Sequence, residues 1–187
     1  MSINLEKTDL SFEDLKNKPY YPKELEKSIE ESNAIILPFE NFRENKPALF
    51  PEITDDFFAY LECNKNDLFK PNILISEDKF EKLEMHCDWL NFGRIILELA
   101  VLPIFINLLS NFIYDKIQKN KLKEDSTVEI EINVVETKAK KTTKITYKGS
   151  SKDVKKALND ITNKLWYEKN AWTTVNRIYD RKQSIFI

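Results

Sequence analysis

The segment 95–114, which runs from Ile95 to Tyr114 with the sequence IILELAVLPIFINLLSNFIY, constrains the fold of this chain more than any other feature. Its length matches the roughly 20 residues that a helix needs to cross a bilayer. A helix that is apolar on nearly all sides must be buried on nearly all sides. The segment therefore belongs in a protein core, in an interface with another chain, or in a membrane.

The apolar pattern around this segment predicts one long helix over residues 77–122. Apolar residues recur there in alternating steps of three and four, which is the spacing of a single helix face. We expect kinks near Gly93 and Pro103, because glycine and proline disturb a helix interior. The stripe comprises Phe80, Leu83, Cys87, Leu90, Leu97, Val101, Ile104 and Leu108, with Arg94 taking one place in the series.

Insertion energies argue against a membrane span without excluding it. Glu98, Asn107 and Asn111 lie inside the apolar segment. On insertion scales a charged residue at a helix centre costs about 2.5–3.5 kcal/mol, whereas each Leu, Ile or Phe gains only about 0.3–0.6 kcal/mol. The sum is close to zero, so we favour a core or interface helix. A span from Ile95 to Tyr114 remains the alternative.

A chain of 187 residues offers limited interior to so apolar a helix. We therefore expect a second copy of the chain, or a different protein, to cover part of the helix. Asn107 and Asn111 lie one turn apart and are candidates to fix the register between paired helices. The residues predicted to form this interaction helix are Leu90, Leu97, Val101, Ile104, Phe105, Leu108 and Phe112.

Residues 1–76 have the pattern of an N-terminal α/β portion. Ser11, three residues before Asp14, resembles a capping box at a helix start. Residues 33–39 contain a short apolar run before Pro38 and predict a strand, while 41–51 contains two prolines and predicts a loop. Thr54 is a plausible N-cap for a short helix.

Residues 126–187 predict a hairpin–helix unit with an ordered tail. Apolar and polar residues alternate over 128–134 and again over 143–147, as in strands with one buried face. Apolar residues over 154–165 have helical spacing, and Trp166, Trp172 and residues 185–187 are apolar enough to pack back onto the body. The fold class that follows is α+β, with the long kinked helix between the two portions.

The sequence contains no complete catalytic constellation. Gly93 and Gly149 are the only glycines, which excludes Gly-rich phosphate loops. His86 is the only histidine, and Cys63 and Cys87 form no CxxC motif, so no zinc ligand set is present. We therefore expect no enzyme activity, no cofactor, no metal and no small-molecule ligand.

One short motif argues for the opposite conclusion. Glu136-Thr137-Lys138 follows an apolar strand and resembles the metal-binding half-motif of restriction-endonuclease-like nucleases. The resemblance implies that Glu136 would hold magnesium and that Lys138 would steer the attacking water. It covers about seven residues and lacks the upstream aspartate, since Asp125 is too close in sequence. A charged hairpin loop explains the same residues without chemistry.

Charge indicates few other partners. Lys and Arg number 29 against 31 Asp and Glu, so no net field favours nucleic acid. Lys140, Lys141, Lys144 and Lys148 form a local basic cluster that could face phosphates or an anionic membrane surface, or simply water. The N-terminus lacks the pattern of a signal peptide, so we expect a cytoplasmic protein, with the inner membrane as the alternative.

These observations lead to one main functional hypothesis. The chain is a non-enzymatic accessory subunit that assembles with itself or with a larger protein through the apolar helix. Its size and composition suit bacterial anti-phage defence or toxin–antitoxin systems. A membrane-anchored or pore-forming protein, and a nuclease centred on Glu136 and Lys138, are the two alternatives.

Overall fold

The computed structural model describes residues 1–43, 46–83, 89–119, 123, 125–136 and 141–167, with only the backbone described at 41–43, 46 and 47. Within these ranges the chain forms two β-sheets and five α-helices, which confirms the α+β class. The helices are α1 (Phe12–Leu15), α2 (Glu26–Glu30), α3 (Thr54–Cys63), α4 (Leu102–Gln118) and α5 (154–167). The strands are β1 (Ser2–Thr8), β2 (Ala34–Leu37), β3 (Phe39–Arg43), β4 (Lys46–Pro51), β5 (Pro71–Ile73), β6 (Lys82–Leu83), β7 (Trp89–Glu98), β8 (Thr127–Glu136) and β9 (Lys141–Ser150).

The main sheet has six strands in the order β1-β9-β8-β7-β2-β5. β7 and β8 are parallel neighbours, and α4 connects them as the crossover helix that a parallel pair requires. β8 and β9 form the predicted antiparallel hairpin, and β1 pairs with the outer side of β9. The smaller sheet has the order β3-β4-β6.

The core lies mainly between the main sheet and the helices α3, α4 and α5. On β8 the alternate residues Val128, Ile130, Ile132 and Val134 are fully buried, as their period of two predicts. An aromatic cluster ties the helices to the sheet: the Phe57 ring of α3 lies 4.9 Å from the Phe92 ring of β7 and 5.1 Å from the Phe112 ring of α4. In α5 the buried residues are Val154, Ala157, Leu158, Ile161 and Leu165.

The predicted long helix is wrong over its first half. Residues 89–98 form strand β7, and the helical segment begins only at Leu99 with a 3₁₀ turn that leads into α4. β7 lies between β2 and β8 and is covered on both faces, so most of its residues are buried. Residues 95–97 of β7 are apolar and buried in succession, so this part of the strand has no period of two to distinguish it from a buried helix.

The two predicted kinks are wrong for the same reason. Gly93 lies in a β-bulge of β7, where its φ of +70° is a conformation that glycine adopts without strain. Pro103 is the second residue of α4, where its missing N–H costs no helical hydrogen bond. Neither residue interrupts a helix.

Other local predictions had mixed outcomes. The capping box at Ser11 and Asp14 is confirmed, as are strand β2 and helices α3 and α5. The loop predicted over 41–51 is wrong, because parts of β3 and β4 occupy it. Trp166 packs against the core as expected, whereas Trp172 and residues 185–187 lie outside the described residues.

Candidate interaction surface

Strand β1 is an edge of the main sheet and was not predicted from the sequence. All seven of its residues pair with β9 in one unbroken register, from Ser2 opposite Lys148 to Thr8 opposite Thr142. On the other side of β1, the described part of the chain provides no strand. An edge of this length and regularity presents a row of backbone N–H and C=O groups to a further strand.

The opposite edge of the same sheet has a different construction. β5 has three residues and begins with Pro71, which has no N–H to donate. Short edge strands and prolines are the usual protection against strand addition. β1 contains no proline and no bulge, and its charged residues are limited to Glu6 and Lys7. Of the two edges, β1 is the one that lacks these protections in the described part of the chain.

An exposed apolar row lies along β1. Met1, Ile3 and Leu5 are 79%, 36% and 37% exposed and, as alternate residues, lie on one face of the sheet. They are three of the six large apolar side chains that are exposed in the described part of the chain, the others being Leu68, Tyr114 and Tyr167. Clustering of exposed apolar side chains is typical of interaction sites, whereas isolated ones are ordinary.

The other face of β1 is polar and paired. The Glu6 carboxylate accepts hydrogen bonds from Lys144 Nζ at 2.6 Å and from Asn4 Nδ2 at 2.6 Å. The hydrogen bond from Lys144 lowers the pKa of Glu6, and the same bond raises the pKa of Lys144. Lys144, predicted to face anions, is therefore already occupied by a carboxylate.

The charged face of the sheet continues inward from β1. The Arg94 guanidinium contacts Glu131 at 3.2 Å and Glu40 at 3.5 Å. Glu40 also accepts hydrogen bonds from the Tyr20 hydroxyl at 2.6 Å and from Lys18 Nζ. Burial alone would raise the pKa of Glu40, but these donors outweigh it and hold the pKa below its usual value. The described charges on this face are balanced, so it has no strong preference for an anion or a cation.

Most residues of the predicted interaction helix belong to the core of this chain. Leu97, Val101, Phe105 and Phe112 are 0–4% exposed, so the prediction that they face a partner is wrong. Leu97 and Leu90 are in β7 rather than in a helix, and Leu90 is half-buried. The apolar side of α4 is covered by the main sheet and α3 of the same chain, and not by the second protein that the sequence led us to expect.

The outward side of α4 is largely polar. Asn107, Asn111 and Tyr114 are exposed, while Ile104 and Leu108 are half-buried. Asn107 and Asn111 thus lie at the surface of a single helix, and their predicted role in setting register between paired helices stays a prediction. A groove of about 370 Å³ between α4 and the start of α5 is lined by Asn111, Tyr114 and the side chains around them.

The membrane alternative is supported only by length and composition. The helical segment Leu99–Gln118 is long and apolar enough to span a bilayer, and 44% of its apolar window is buried inside the protein. A helix packed on a sheet in a protein core meets the same criteria. Residues 95–98, which the predicted span included, are part of β7.

The predicted basic cluster is partly paired. Lys148 Nζ lies 3.2 Å from Glu129 and 4.7 Å from the centre of the Trp89 ring, while Lys141 is exposed opposite Glu136. Lys140, Lys138, His86 and Cys87 lie outside the described residues. Among the residues that are described, no three His, Cys, Asp or Glu side chains are grouped to hold a metal ion. The nuclease motif therefore stays a prediction.

A pocket of about 340 Å³ lies between the start of α3 and the strands β6 and β7. Two of its three acidic residues, Asp55 and Asp56, are paired with Lys82 and Lys116, respectively, and the third is Glu52. These ion pairs offset two of the three carboxylates that line the pocket. The pocket therefore supplies weaker grounds for a ligand than β1 supplies for a partner strand.

No protein-family model matches this chain, and comparison with curated proteins and with solved structures found no significant similarity to any of them.

Proposed function

We propose that this protein is a non-enzymatic interaction subunit that binds another protein chain by adding a strand to β1. The observation that carries this proposal is the open edge of seven residues with its exposed apolar row, Ile3 and Leu5. Strand addition is a common mode of protein recognition, in which backbone hydrogen bonds supply affinity and alternate side chains supply specificity.

The surroundings of β1 favour a protein partner over other ligands. The apolar row gives a partner strand a surface to pack on, with each cross-strand pair contributing about 0.2–1 kcal/mol. β1 is already paired with β9 along its whole length, so the edge is ordered before a partner arrives. An edge that is already ordered lowers the entropy cost of binding.

The test compares three forms of the full chain. The edge variant carries Ile3→Lys and Leu5→Lys, because lysines on an edge strand oppose strand addition. The control is Leu68→Lys, which places a lysine at an exposed apolar position (71%) away from β1. Circular dichroism establishes that all three forms are folded.

The readouts are molecular mass by light scattering and capture of proteins from a cell lysate. We expect the wild-type chain and the Leu68→Lys control to bind a protein, either a second copy or another chain, and the edge variant to lose it. Equal masses and equal captured proteins for all three forms would refute the proposal.

The setting of this function is a further hypothesis. A cytoplasmic accessory protein of a bacterial anti-phage or toxin–antitoxin system remains our expectation from size and composition. The segment Leu99–Gln118 supports membrane anchoring as a second candidate, by length and composition alone. For the nuclease alternative, Glu136→Ala would have to abolish a measurable cleavage activity.

A further inference from the structure

We infer that the strand added to β1 is the β1 strand of a second copy, so that two main sheets join into one of twelve strands. This inference rests on the proposed function and names its partner. The two copies are related by a two-fold axis perpendicular to the sheet, which keeps α4 and α5 of both copies on the same side. The two β1 strands run antiparallel, as such an axis requires.

The register of this pairing follows from the sequence of β1. Directly opposite residues in an antiparallel pair point to the same face, so the axis must pass midway between one residue and the same residue of the second copy. The register centred on Leu5 pairs all seven residues of β1, from Ser2 opposite Thr8 of the second copy. A register centred on Glu6 places two carboxylates opposite each other, and one centred on Asn4 leaves Thr8 unpaired.

The Leu5-centred register is complementary at each position. Leu5 meets Leu5 of the second copy at the axis, and Ile3 meets the aliphatic stem of Lys7. Asn4 meets Glu6, a pair that can hydrogen-bond, since Asn4 Nδ2 already donates to Glu6 at 2.6 Å within one chain. No like charges lie directly opposite each other, which would be destabilising.

In this pairing, residues of each copy cover the apolar row of the other. Ile3 and Leu5 of one chain are 36% and 37% exposed. Across the axis these residues of both copies form one continuous group of four, because diagonal neighbours in a sheet lie within reach of long side chains. On the opposite face Glu6 keeps its Lys144 partner, so the pairing breaks no ion pair.

A pair of charge variants tests whether the strand added to β1 is that of a second copy, and whether the pairing is centred on Leu5. The full chain is prepared as Leu5→Lys and as Leu5→Glu, with Leu68→Lys and Leu68→Glu as matched controls. Masses are measured by light scattering from low to high micromolar concentration, for each variant alone and for equimolar mixtures. Thermal unfolding of each variant shows that it is folded, which is expected because Leu5 is partly exposed.

We expect the wild-type chain and the Leu68 controls to form a dimer as concentration rises. Each Leu5 variant alone should dimerise about tenfold more weakly, because two like charges then face each other at the axis. An equimolar mixture of Leu5→Lys and Leu5→Glu should recover the dimer, because opposite charges now meet. Recovery in the mixture is specific to Leu5 facing Leu5.

Three results would overturn this inference. Leu5 variants that dimerise as strongly as the wild type would place the contact elsewhere, and a mixture that stays monomeric would exclude this register. A wild-type chain that stays monomeric at high concentration would mean that another protein, or residues 168–187 of the same chain, covers β1. In that last case, a protein captured by the wild type and lost by the edge variant would leave the proposed function standing.

Discussion

Replacing Gly93 by alanine tests the bulge in β7, which the sequence led us to expect as a helix kink. The φ of Gly93 is +70°, in the left-handed region where an L-residue costs roughly 1–2 kcal/mol. A Cβ at this position would lie 3.3 Å from Cδ and Cγ of Pro51, so the proline ring would have to shift by a few tenths of an ångström.

The expected loss follows from these two effects. Alanine also stiffens the unfolded chain, which returns about 0.4–1 kcal/mol where the native conformation is compatible with it. The shift of Pro51 roughly offsets this return, so the net loss of unfolding free energy for Gly93→Ala stays at about 1–2 kcal/mol. For a chain of this size, each kcal/mol lowers the Tm by roughly 2–4 °C, so the Tm should fall by about 2–8 °C.

Urea unfolding followed by tryptophan fluorescence measures this loss. Two further variants separate its causes. Asparagine is larger than alanine, but it adopts positive φ more readily. Gly93→Asn should therefore lower the unfolding free energy by less than the size of its side chain alone would predict. The substitution Pro51→Ala in the Gly93→Ala chain should relieve the contact and leave the backbone cost. A Gly93→Ala chain as stable as the wild type would refute both the positive φ and the close approach to Pro51.

Further predictions concern the core, pH and localisation. Phe57→Ala should lower the unfolding free energy by about 3–5 kcal/mol, measured by urea unfolding, because Phe57 is 1% exposed and contacts rings of β7 and α4. Burial raises the pKa of Tyr147 from 10.0 to about 12, and its hydroxyl donates to the Ser150 carbonyl at 2.7 Å. The neutral phenol is therefore favoured by folding, so stability should be complete below pH 10 and fall as the pH rises to about 12, and Tyr147→Phe should flatten this fall. Val101→Asp should prevent stable folding, since Val101 is 4% exposed, whereas Leu108→Asp at a half-buried position should leave a folded chain by circular dichroism. Cell fractionation without detergent should place the chain in the supernatant, and recovery in the membrane pellet alone would favour the membrane alternative.

The elements that the sequence predicted well are those whose burial is decided locally. The hairpin of β8 and β9 has one buried and one wet face, so the alternation from Val128 to Val134 is visible without knowledge of its neighbours. Helix α5 has its apolar residues on one side, and the capping box at Ser11 is contained within four residues. In each case the residues that decide the structure are close together in the sequence, so the local pattern is enough to predict it.

The prediction of a long helix failed over β7, where burial depends on strands that are far away in the sequence. Leu97 is buried because β2 and β8 lie on either side of β7 and helices cover the sheet. The apolar run from β7 into α4 satisfies a helical spacing by chance, since a strand covered on both faces imposes no period of its own. Only the pairing of β7 with residues 34–37 and 127–135 distinguishes the strand from the helix.

The candidate surface illustrates the same division. By itself the sequence determined the fold class, the hairpin and the amount of apolar surface that needs cover, because composition and local periodicity contain that information. It did not determine which apolar residues remain exposed. Val101 and Phe105 lie in the most apolar segment and are buried, whereas Ile3 and Leu5 lie in an unremarkable N-terminus and are exposed. Tertiary structure decided this, because exposure depends on the order of strands in the sheet, and that order places β1 at its edge.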